Sequence, residues 1–138
     1  MVLRRLQQAI PAWRGLAVDD FDFDAPKGLS SITMGVRARL RVDPPAVLYR
    51  QLEGKENAIL DFEAERSTFL MLGDTGIAAR CLHYDTDFRV EQFYRGRTLT
   101  AADVFDPEIQ RKVARELHRL HQLEPPDLPQ QTFFELLH

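Results

Sequence analysis

The chain has one cysteine, Cys81, in 138 residues, so no internal disulfide can form, and this usage fits a reducing compartment. It has no apolar run of membrane-spanning length, and its opening, Met1-Val2-Leu3-Arg4-Arg5-Leu6-Gln7-Gln8-Ala9, is too polar for the core of a secretory signal. Neither sign of charge dominates. The net charge is −3 with 28% charged residues of mixed sign, which gives no general electrostatic reason to bind nucleic acid or an acidic membrane surface. Internal repeats and low-complexity tracts are absent, as are a Walker A loop and a Ser-His-Asp arrangement. What is present suffices for one ordinary core: 44% of the residues are hydrophobic, and the length suits one domain. These features predict a cytoplasmic protein without a membrane span.

The periodicities predict an α+β fold. Val2 to Ile10 reads as a short helix stopped by Pro11, and Leu16 to Phe23 as an edge strand whose acids Asp19, Asp20, Asp22 and Asp24 face solvent. Ile32, Met34, Val36, Ala38 and Leu40 alternate with Thr33, Gly35, Arg37 and Arg39, the pattern of a half-buried strand. Asp43-Pro44-Pro45 turns the chain into an antiparallel neighbour, Ala46 to Leu52. A helix over Ala58 to Leu72 carries the stripe Ile59, Phe62, Phe69 and Leu70, and Gly73 to Gly76 stops it. Ala79 to Tyr84 and Phe88 to Phe93 read as two further strands around Asp85-Thr86-Asp87. Asp106 and Pro107 open a helix to about Gln122, with Ile109, Val113, Leu117 and Leu120 on its buried side. Pro125-Pro126 breaks it, and Gln130 to His138 starts another helix.

Three places carry candidate chemistry. Glu65 has Phe62 and Phe69 as helical neighbours, and a carboxylate on an apolar side is costly to bury without a partner. Arg50, mid-strand between Tyr49 and Gln51, is a candidate partner, and such a cation and acid grip nucleotide phosphates in phosphotransferase lobes. The alternative is a surface acid and arginine that never meet. Lys27-Gly28-Leu29-Ser30-Ser31 can bring backbone N–H groups to phosphate oxygens, or form a plain hairpin turn. Val90-Glu91-Gln92-Phe93-Tyr94-Arg95-Gly96-Arg97 reads as a hinge that frames an adenine, or as a core strand running into a loop. His118 and His121 lie three apart on a helix, but no further ligand completes a metal site, so a helix-end role fits them. Cys81 reads as a small core residue, and Trp13 beside Arg14 as an anchor for the N-terminal segment.

Taken together these stretches resemble the choline/ethanolamine kinases, on the aminoglycoside-phosphotransferase-like kinase fold. Ile10-Pro11-Ala12-Trp13-Arg14-Gly15-Leu16 is similar to the segment that leads into their first strand. Gly28-Leu29-Ser30-Ser31 resembles their Gly-Gly-Leu-Ser/Thr-Asn loop, with Ser31 in place of the asparagine and Lys27 in place of the other glycine. Val47-Leu48-Tyr49-Arg50 is similar to their Val-Leu-Leu-Arg strand, and Glu65 with Phe69 to their helix acid. Arg89 to Phe93 followed by Gly96-Arg97-Thr98-Leu99 resembles their hinge, and Pro107 to His121 the helix after it. The tryptophan segment and the Glu-Gln-Phe hinge lean toward choline kinase.

The resemblance implies a kinase-like N-terminal lobe: an antiparallel sheet of about five strands with a packed helix over residues 1–94, then a hinge and the first helices of a second lobe over 95–138. It implies transfer of a phosphoryl group from ATP to the hydroxyl of choline, or of ethanolamine. Arg50 would contact the ATP phosphates, Gly28, Leu29, Ser30 and Ser31 would cover them, and Glu65 would position Arg50. Gln92 and Phe93 would frame the adenine, with Arg97 beside the cleft. The family's His-Asn-Asp-type catalytic motif and its later Mg²⁺-binding aspartate do not occur in this sequence. The expectation is therefore a nucleotide-binding lobe inactive alone, with a homodimer or a full-length kinase as possible partners, or a non-catalytic module derived from the same fold.

Overall fold

The computed structural model describes residues 1–27, 32–52 and 62–124, in two compact units. The proposed phosphate loop Gly28 to Ser31, the start of the Ala58 helix, and the segment from Pro125 onward lie outside the described residues.

The first unit spans residues 1–58 and 79–93 and contains a five-stranded antiparallel sheet. Its elements are helix α1 (Val2–Ala9) and strands β1 (Phe21–Phe23), β2 (Thr33–Ala38), β3 (Ala46–Gln51), β4 (Cys81–Tyr84) and β5 (Phe88–Gln92). The strand order is β1-β2-β3-β5-β4, so β3 is central and β1 is an edge, as the acidic pattern predicts. That edge is shorter than the expected Leu16 to Phe23. Val18 to Asp20 form a 3-10 turn instead, in which the Asp20 carboxylate accepts the Ala17 N–H at 2.7 Å. Aspartates that bond nearby backbone compete with strand formation.

Side chains alternate across a strand, and the register Met34↔Tyr49↔Val90 and Val36↔Val47 lines up one apolar face. On it Val36, Val47, Tyr49, Phe88 and Val90 join Leu6, Ile10, Trp13 and Phe21 in a single core. α1 is docked by this burial and by Arg5, which donates to the Tyr49 hydroxyl at 2.8 Å and lies 5.1 Å over the Phe88 ring. Trp13 is fully buried, 4.8 Å from the Phe21 ring centre, and its indole N–H donates to the Pro44 carbonyl at 2.9 Å. The anchoring role read from the sequence is the observed one.

The second unit, described by itself, spans residues 59–78 and 94–138. Its described helices are α2 (Phe62–Asp74) and α3 (Pro107–His121), with a 3-10 turn at Ala101–Phe105. α2 stops in the predicted segment: Gly76 adopts φ +72°, a left-handed conformation that glycine takes without steric cost, and Ile77 N–H returns to the Leu72 carbonyl at 3.1 Å. α3 starts as predicted, with the Asp106 carboxylate accepting the Glu108 N–H at 2.8 Å and Pro107 at its first position. Its apolar stripe departs from expectation. Val113, Leu117 and Leu120 are 44%, 48% and 38% exposed rather than buried. With Ile77, Lys112 and Glu116 they line an open hollow of about 350 Å³. A 3.6-residue period shows that a face is apolar, not what covers it.

Candidate functional site

The second face of the sheet is built from the alternate residues of the same strands. Thr33↔Arg50↔Arg89 and Gly35↔Leu48↔Glu91 lie in register across β2, β3 and β5, and Phe93 continues the Arg89, Glu91 series just past β5. One face is therefore apolar and filled, while the other gathers charge and an aromatic ring.

At its centre two guanidinium groups converge on one carboxylate oxygen. Arg50 Nε donates to Glu91 Oε1 at 2.8 Å, and Arg89 Nε donates to the same atom at 2.8 Å. Glu91 and Arg89 are buried, while the Arg50 side chain is 29% exposed. A buried carboxylate persists only when paired, and this one is bound from two strands at once. Arg50 is thus held at the inner edge of its fork and keeps access to solvent.

A second cluster sits at the end of β5. Arg37 grips Asp24 through two bonds, Nη1 to Oδ1 at 2.7 Å and Nη2 to Oδ2 at 3.0 Å, and its guanidinium carbon lies 4.6 Å from the Phe93 ring centre. Bonding to Arg37 holds the Asp24 carboxyl below the usual carboxylate range. Gly35 makes the arrangement possible. A Cβ there would overlap the Asp24 carboxylate and press to 3.0 Å on the Phe93 ring. Farther along the edge, Arg39 bonds Asp22 at 2.6 Å and lowers its pKa in the same way.

Phe93 is half-buried and Gln92 is exposed, its N–H bonded to the Arg80 carbonyl at 2.8 Å. Both occupy the end of an inner strand, where a hinge would begin. Glu65 is exposed in the first turn of α2. Arg97 is committed to Asp103 through a two-bond pair at 2.6 and 2.7 Å. Those bonds come first, and the Thr100 N–H and hydroxyl add to them, in holding Asp103 well below the usual carboxylate range. His118 and His121 are exposed in the last turn of α3, and Cys81 is half-buried on β4. Among the described residues no group of three or more His, Cys, Asp or Glu could hold a metal ion.

Sequence reasoning placed Arg89 and Glu91 within a hinge and gave no part in the site to Arg37 and Asp24. The alternation of Arg89, Glu91 and Phe93 with Phe88 and Val90 puts the three on one face of their strand, but only the pairing of β3 with β5 sets that face beside Arg50.

The family model described as choline/ethanolamine kinase matches residues 26–138. The Arabidopsis thaliana protein named Probable choline kinase 2 is 36% identical over 74 residues, which are 54% of this chain and 21% of that protein. A crystal structure of choline kinase from Cryptosporidium parvum superposes with a TM-score of 0.76 at 21% identity, over 94% of this chain and 37% of that one. An ethanolamine kinase from Plasmodium vivax superposes with a TM-score of 0.62 at 25% identity, over 86% of this chain and 30% of that one. In each comparison the chain spans well under half the length of its relative.

Proposed function

The chain belongs to the choline/ethanolamine kinase family, and from that premise we propose that it supplies the nucleotide-gripping lobe of a phosphotransferase that moves the γ-phosphoryl group of ATP to the hydroxyl of choline. The observation that carries this reading is Arg50 on the central strand, fixed by Glu91 and sharing its sheet face with Phe93. A guanidinium held by its inner edge suits an anionic phosphate. A half-buried ring at the end of an inner strand suits the face of a base.

In this reading residues 1–94 form the lobe and 95–138 the hinge and following helices. Arg50 meets the phosphates, Gln92 and Phe93 frame the adenine, and Gly28, Leu29, Ser30, Ser31, Glu65 and Arg97 complete the nucleotide-binding set by family likeness. Phosphoryl transfer depends on positioning and charge stabilisation, and much of the latter comes from metal ions. Mg²⁺ is expected for the family, and the described residues offer no cluster of three or more His, Cys, Asp or Glu to hold it. In this reading the 138-residue chain binds nucleotide without turning it over.

Choline is favoured over ethanolamine by the tryptophan segment and the Glu-Gln-Phe run; ethanolamine is the alternative alcohol. The exposed stripe of α3 favours a second reading, a non-catalytic module that pairs with a full-length kinase. The test is calorimetric titration of ATP into the chain and into Arg50→Ala and Glu65→Ala variants, beside an assay for phosphocholine. We expect weaker ATP binding in both variants and no phosphocholine. Equal ATP affinity in all three proteins would remove the assigned roles, and phosphocholine from the pure chain would overturn the lobe-only reading. Capture of an intact kinase would favour the module.

A further inference from the structure

We propose that Glu91 is the residue that positions Arg50 for the nucleotide phosphates, with Arg89 holding Glu91 in turn. This rests on the reading of Arg50 as the phosphate contact.

A free arginine samples many rotamers, and ordering it costs conformational entropy that must be recovered on binding. A carboxylate bound at Nε fixes the plane of the guanidinium and the direction of its terminal nitrogens, and the bond itself uses neither of them. Glu91 makes that bond to Arg50 at 2.8 Å from the adjacent strand, where Leu48↔Glu91 and Arg50↔Arg89 are alternate pairs of one ladder, with Tyr49↔Val90 between them on the opposite face. The carboxylate is itself immobilised. It is buried, it sits on an inner strand, and Arg89, also buried, bonds the same oxygen at 2.8 Å. Glu91 is thus an acid supplied by the sheet itself, distinct from the helix acid that the family likeness implies.

The discriminating readout is the ratio of ATP to adenosine affinity, because adenosine has no phosphates. Damage to the fold weakens both ligands, whereas loss of aim at Arg50 weakens ATP alone. We expect Glu91→Gln, titrated calorimetrically in the 138-residue chain, to lower ATP affinity roughly tenfold, the scale of one hydrogen bond to a charged group, and to leave adenosine affinity unchanged. Arg89→Lys keeps the cation but loses the fork, and should narrow the ratio by about threefold; it serves where Glu91→Gln does not fold. An equal loss for both ligands, or an unchanged ratio in a folded variant, overturns the proposal. Arg50→Ala separates the two levels. If it narrows the ratio while the Glu91 and Arg89 variants do not, the positioning role fails and the Arg50 reading stands. If Arg50→Ala leaves the ratio intact, the Arg50 reading fails and the positioning role falls with it.

Discussion

The two faces of the same sheet differ more than any two elements of the chain. Residues one apart on β3, Tyr49 and Arg50, go to opposite fates. Tyr49 is sealed beneath α1, and Arg50 joins a charged cluster with partial access to water. The apolar face is closed by Leu6, Ile10 and Trp13, and its energetics are those of packing. The charged face holds two arginines on one carboxylate and an Asp24–Arg37 pair against Phe93, and its energetics are those of pairing. A strand can thus divide its residues one by one, with packing on one side and paired charge on the other.

The largest effect should come from the closed face. Trp13→Ala removes a fully buried ring together with its bond to Pro44, and should destabilise the chain by roughly 3–5 kcal/mol. Urea denaturation checks this. A loss below about 1 kcal/mol, within the range of an ordinary surface change, would mean that α1 and its anchor do not belong to the core.

An intermediate effect should come from Gly35→Ala, which strikes the other face. The new methyl group collides with Asp24 and crowds Phe93, at a cost of about 1–3 kcal/mol for overpacking. Its ligand signature should differ from that of Glu91→Gln, with adenosine weakened as much as ATP. Unchanged adenosine affinity in a folded Gly35→Ala chain would separate Phe93 from the base site.

The smallest effect should come from acid. Asp22, Asp24 and Asp103 all have folded-state pKa values below the ordinary carboxylate value of about 3.9. Each therefore contributes stability that is present above that value and is lost as pH falls through the lower folded value. The urea midpoint should decline below about pH 4, and Asp103→Asn should flatten part of the decline. A midpoint that rises on acidification would contradict the sign.

Much of the fold was legible because period-2 alternation and helix signals are local. The β2 pattern, the Asp106-Pro107 start and the glycine stop of α2 all appear where the residues demand them. The short β1 was not legible, because a strand pattern does not reveal that Asp20 will bond its own turn. Nor was the exposure of Val113 and Leu117 on α3, since amphipathicity identifies a face but not its cover. In the candidate site the within-strand place of Arg50 and the strand-end place of Phe93 were legible. The pairing of Glu91 with Arg50 was hidden because it depends on which strands lie side by side. β3 and β5 are neighbours in the sheet although about forty residues apart in sequence, and only that register brings Glu91 to Arg50.

On the proposed reading nucleotide is held on the charged face. The most direct test is an NMR titration of the isotope-labelled chain with ATP. The Arg50 side-chain Nε–H and the backbone amides of Glu91 and Phe93 should shift, while the Trp13 indole and the amides of Leu6 and Val47 should stay in place. Shifts confined to the Trp13 side, or spread evenly over both, would contradict that reading.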